Sequence, residues 1–104
     1  MNLQYEIIKA ALNARLVSEG YNVTKERYDP DVFGSRYTIW SSGNSGKRLI
    51  WDGKDRWFIL QESNAITFDW QTDWKELIHV PYNSEEHDGH YADGIVLKIL
   101  ACLG

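Results

Sequence analysis

The segment "HVPYNSEEHDGHYAD", His79 to Asp93, gathers all three histidines of the chain, with Glu85, Glu86, Asp88 and Asp93 among them. Neutral imidazole and carboxylate both ligate zinc and other divalent ions, so His79, His87 and His90 are where metal chemistry would sit. His87 and His90 are three apart and would share one face of a helix. Gly89 between them favours a turn instead, and the spacing is neither HExxH nor an EF-hand loop. The plainer reading is a solvated polar loop leading into a helix, with Asp88 or Asp93 as N-cap or first-turn acid. No cofactor is expected.

Other residue types that could do chemistry are poorly arranged for it. Gly43-Asn44-Ser45-Gly46-Lys47 looks like half of a phosphate-binding loop. That loop needs GxxxxGK[ST] followed by a helix, whose N-terminal amides hold the phosphate. Here Ser41 stands where the first glycine should be, Arg48 replaces the magnesium-binding hydroxyl, and "RLIWD" reads as strand. The glycines are better explained as turn residues between two strands, with Lys47 and Arg48 as solvated charges. Cys102, the one cysteine, lies in the apolar run "IVLKILACLG", where it reads as a small buried hydrophobe rather than a nucleophile. No serine sits in a G-x-S-x-G elbow. Asp52, Asp55, Glu62, Asp69 and Asp73 show no spacing that sets them apart from turn and edge residues.

The aromatic residues carry more information. Five Trp, six Tyr and three Phe are many for 104 residues, and Trp40, Trp51, Trp57, Trp70 and Trp74 all fall in or beside one strand-rich region. Side chains alternate along a strand. Tyr37 and Ile39 therefore share a face opposite Thr38 and Trp40, Leu49 and Trp51 lie opposite Ile50, and Trp57 and Ile59 lie opposite Phe58 and Leu60. Both faces of the sheet are apolar, so whatever the helices leave uncovered is aromatic. Trp, Tyr and Arg are enriched at protein interfaces, and Trp40, Trp51 and Trp57 with Arg36, Arg48 and Arg56 are the expected partner contacts. Such a face also stacks on sugar rings or on the bases of a single strand.

Around these residues the chain reads as one domain, 1–104, with enough length for its own core. Residues 3–19 form an amphipathic helix: Leu3, Ile7, Ala10, Ala11, Ala14 and Val17 make a face that Ile8, Leu12 and Leu16 widen, and Gly20 stops it. "YNVTKERYD" reads as a strand and "DPDVFG" as a loop. "RYTIWSS", "KRLIWD", "RWFILQ" and "NAITFDW" then follow as strands, joined by "GNSG", "DGKD" and "ESN". Turns this short force antiparallel pairing, because a parallel crossover takes about a dozen residues. Residues 72–80 fit either a helical turn or a last strand, 81–90 read as loop, and "YADGIVLKILACL" as a helix buried on most sides. The expected architecture is an α+β two-layer sandwich: an N-terminal helix, an antiparallel sheet of four or five strands and a C-terminal helix, both helices on one sheet face.

The net charge is −4, which disfavours nucleic acid and favours a basic partner. A lone cysteine fits a reducing compartment. No stretch reads as a signal peptide or reaches the roughly 18 apolar residues of a membrane span, so a cytoplasmic protein without a membrane partner is expected. In size, acidity, aromatic content and α+β order the chain resembles small bacterial immunity and accessory proteins, which occlude or regulate a partner. The likeness is one of composition and carries no residue across. The expected function is a non-enzymatic protein-interaction module, with a homodimer through the same face as a special case. The alternatives are a carbohydrate or small-molecule binding module using the same tryptophans, and a metal-dependent enzyme or sensor at the histidines.

Overall fold

Short connections force neighbouring strands antiparallel, and the first four strands of the chain follow that rule. The computed structural model describes residues 3–43, 45–64, 74–81 and 91–103. Its elements are α1 (Leu3–Ser18), β1 (Asn22–Asp29), β2 (Ser35–Ser42), β3 (Ser45–Asp52), β4 (Trp57–Ser63), β5 (Lys75–Pro81) and α2 (Tyr91–Ala101). The sheet order is β1-β2-β3-β4-β5, every pair antiparallel. The fold is α+β, as the sequence pattern implies.

Of the ambiguous stretch 72–80, residues 75–80 are strand, and 72–73 lie outside the described residues. Among the described residues β5 is an edge strand, a position that tolerates proline. The strand expected over 65–70 and the loop 82–90 lie outside the described residues.

Both helices cover the same sheet face. One apolar cluster joins Tyr5, Ile8, Leu12 and Leu16 of α1 to Ile95 and Ile99 of α2 and to Trp40, Leu49, Trp51, Phe58, Leu60 and Val80 of the sheet. The buried stripe of α1 is thus centred on Tyr5, Ile8, Leu12 and Leu16, not on the predicted face. Ile7 and Val17 are 39% and 49% exposed. The larger side chains gain more by burial than Ala10 or Ala14 would, and they set the rotation of the helix. α2 also differs from expectation. Leu97 is 70% exposed, and Cys102 is exposed beyond the helix end rather than buried. α2 packs on α1 and the sheet from one side only. Among the described residues, no helix is long and apolar enough to cross a membrane.

Local chemistry closes the elements. Gly20, at φ +92°, ends α1 in a Schellman turn, with Tyr21 N donating to Leu16 O at 2.9 Å and Gly20 N to Val17 O at 3.1 Å. The β2–β3 turn has Gly43 at φ +59° between the paired Ser42 and Ser45. The strand connection expected at "GNSG" is there, with Gly43 as its turn glycine, but Gly46 is not a turn residue: it lies within β3, paired with Ser41 and Ser63. A polar seam lies where α1 meets β1 and β2. The buried Tyr5 hydroxyl is 2.7 Å from Thr38 Oγ1, Thr38 Oγ1 donates to Glu26 at 3.2 Å, and Glu26 pairs with Lys9.

Candidate functional site

Strand alternation and register divide the predicted partner residues between two faces. Trp40 and Trp51 point to the helices. Trp40 is 0% exposed, with its indole N–H donating to Asn13 Oδ1 at 3.1 Å, and Trp51 packs on Phe58 with ring centroids 4.7 Å apart. Arg36 lies on the same side, 2.7 Å from Glu6 and stacked 4.2 Å from the Tyr5 ring. These three belong to the core and its rim, so they cannot form one recognition surface with Trp57. The sequence could not separate them, because both sides of each strand are apolar. Arg56 is exposed in the β3–β4 turn at φ +59°.

Trp57 and Arg48 lie on the opposite side, termed here the outer face. Two rows cross all five strands there: Lys25, Ile39, Arg48, Gln61 and Glu76 in one, Arg27, Tyr37, Ile50, Ile59 and His79 in the other. Trp57 follows, paired with Asp52 and Pro81. Tyr37, Ile50, Trp57 and Ile59 are all partly exposed, and Trp74, just ahead of β5, joins them.

Arg48 is the centre of this face. Its guanidinium lies 4.4 Å from the Trp74 ring and 5.9 Å from the Tyr37 ring. Nε and Nη2 both donate to Gln61 Oε1, at 2.8 and 2.5 Å. Arg48 is therefore an ordered, partly buried side chain and not the solvated charge that its position near a turn suggests. Burial pulls its pKa below the usual arginine value, with the Tyr37 phenol acting weakly the other way. It stays protonated, since guanidinium does not lose its proton in proteins. Lys25 Nζ approaches the other side of Tyr37, 6.0 Å from the ring.

What sets Arg48 apart from the other cations is partial burial without a carboxylate partner. Lys9, Arg15, Arg27, Arg36 and Lys47 each have a carboxylate partner. Among the described residues Lys25, Arg48, Lys54, Arg56, Lys75 and Lys98 have none, and of these six Arg48 is the one drawn partly out of water. Lys47, read from sequence as solvated, is 3.1 Å from Glu62 on the helix side.

The histidine site is only partly described. His79 sits on the outer face, its ring 4.3 Å from that of Trp57 and its Nδ1 3.2 Å from Glu76 Oε2. His87 and His90 lie outside the described residues, as do Trp70, Asp69 and Asp73. Among the described residues no group of three His, Cys, Asp or Glu side chains is placed to hold a metal ion. Asp52 caps its own turn, accepting from Lys54 N at 3.0 Å and Asp55 N at 3.1 Å.

Sequence reasoning missed Trp74 and Gln61 as members of the site. The available signals were the Tyr37–Ile39 alternation and an arginine in mid-strand. Trp74 was hidden by the ambiguity of residues 72–80. Comparison with protein-family models, with curated proteins and with solved structures finds no match.

Proposed function

We propose that the protein is a non-enzymatic protein-interaction module that takes a partner protein on the outer face, through Arg48, Tyr37, Trp74 and Trp57. The observation that carries this reading is the half-exposed aromatic surface built around an ordered guanidinium on the face away from the helices. Rigid aromatic side chains and arginine provide large contact area and directional hydrogen bonds at little loss of side-chain entropy, which is why they concentrate binding energy at interfaces. The polar groups nearby are engaged with one another: Gln61 accepts from Arg48, and Glu76 meets His79. That arrangement suits recognition better than proton transfer. The mode of action is occlusion or scaffolding of the partner.

Site-directed photo-crosslinking in cells tests it. A photoreactive residue at position 59, on the outer face, is expected to trap a partner, and Trp57→Ala in the same chain is expected to remove the adduct. The same residue at position 97, on the exposed side of α2, should trap none of it. Equal trapping at both positions would sink the proposal, while an adduct of twice the chain mass would identify the partner as a second copy.

A further inference from the structure

Resting on that reading, we propose that the partner presents an acidic peptide segment, with one carboxylate seated on Arg48 between Tyr37 and Trp74 and a second within reach of Lys25. A cation taken partly out of water is unfavourable unless a counter-charge or hydrogen bonds compensate it. Arg48 has aromatic faces and one amide oxygen but no carboxylate among the described residues. Gln61 engages Nε and one hydrogen of Nη2. The end of the guanidinium formed by Nη1 and the second Nη2 hydrogen makes no hydrogen bond to the described residues. That end is the fork that grips a carboxylate with two parallel bonds.

Lys25 extends the site. It pairs with Ile39, which pairs with Arg48, so the two backbones are two strand spacings, about 10 Å, apart. Both cationic groups come to the same tyrosine, at 6.0 and 5.9 Å from its ring. Two unpaired cations flanking one half-exposed ring form a positive patch on a chain whose net charge is −4. The overall charge predicts a basic partner, whereas the two cations that flank Tyr37 predict an acidic group at that spot. The local field governs what docks, because interactions beyond about 10 Å are largely screened at physiological salt. A nucleic acid fits less well. Its phosphates recur every ~1.7 Å along a duplex and call for a long run of cations, whereas Glu76 ends this row and Asp52 lies two residues before Lys54 in the turn.

Calorimetric titration with three peptides of equal length and equal aromatic content, one Glu-rich, one uncharged and one Lys-rich, tests the inference. The Glu-rich peptide is expected to bind, and added salt to weaken it. Arg48→Gln should weaken it at least about tenfold, ~1.4 kcal/mol. Arg48→Lys, which keeps the charge but loses the fork, should fall between, and Lys25→Gln should reduce the salt dependence. Lys98→Gln, on α2, should change nothing, and circular dichroism confirms that each variant is folded. Equal or tighter binding of the uncharged or Lys-rich peptide overturns the acidic partner, yet leaves the interaction face standing if Trp57→Ala abolishes that binding. Single-stranded DNA that binds more tightly than the Glu-rich peptide and depends on Arg48 overturns it in favour of phosphate. Failure of every peptide, together with position-independent crosslinking, removes both readings.

Discussion

Arg36 and Arg48 show how one residue type takes two roles on two sides of one sheet. Arg36 stacks on Tyr5 and pairs with Glu6, so it belongs to the seam between α1 and the sheet. Arg48 stacks on Trp74 and Tyr37 and keeps its charge uncompensated. The same seam makes Tyr5 the most telling single group for stability. Burial pushes the Tyr5 phenol well above the usual tyrosine value, while the Thr38 hydrogen bond and Arg36 pull the other way. The folded state therefore holds this proton more tightly than the unfolded chain does. The associated stability is fully present below the unfolded pKa near 10 and falls as pH rises beyond it, by up to about 1.4 kcal/mol per pH unit. Tyr5→Phe should cost about 1 kcal/mol at neutral pH through the lost hydrogen bond, and should flatten the alkaline loss. Urea unfolding of both proteins from neutral to alkaline pH checks this, and equal alkaline slopes would show that the phenol is not held neutral by the fold.

At the scale of elements, two hairpins lock together through one glycine. The β1–β2 connection carries Phe33 at φ +57° and Gly34 at φ +73°. A Cβ on Gly53, in the β3–β4 turn, would stand 1.9 Å from Phe33 O and 2.8 Å from Phe33 C. Gly53 N also donates to Ser35 Oγ at 3.0 Å. Asp52-Gly53 was legible as a turn, since a glycine between two apolar runs is a local signal. That Gly53 makes room for a neighbouring hairpin was not, because the contact is set by tertiary packing. Gly53→Ala must displace backbone and should cost ~1–3 kcal/mol. Gly34→Ala meets nothing within 4 Å and bears only the conformational strain of its φ, roughly 1–2 kcal/mol. Urea midpoints of the two variants test the latch through a second effect. Gly53→Ala should also disorder the β1–β2 connection, seen as faster amide exchange at Ser35, and Gly34→Ala should not extend its effect to Gly53.

For the whole molecule, periodicity and turn chemistry were enough for the α+β order, because both are written locally. The assignment of faces was not, because Ile39 beside Trp40, Ile50 beside Trp51 and Ile59 beside Phe58 make both sides apolar. Only the docking of α1 and α2 decides which tryptophans become core. That decision can be read as a difference in stability. One apolar cluster ties both helices to β2, β3, β4 and β5, so removing a ring from it should weaken global unfolding rather than one element. Trp40→Ala leaves a cavity under α1 and strands Asn13 Oδ1 without its donor. It should cost about 3–5 kcal/mol, a large share of the roughly 5–15 kcal/mol expected for a chain of this size. Trp57→Ala removes a ring that meets His79 at the surface and should cost no more than about 1 kcal/mol, within the range of aromatic pairs. Urea unfolding followed by far-ultraviolet circular dichroism measures both. A large loss for Trp40→Ala with a small one for Trp57→Ala assigns the first ring to the core and leaves the second free for recognition. Equal large losses would mean that the outer face is itself part of the core, and the partner would have to dock elsewhere.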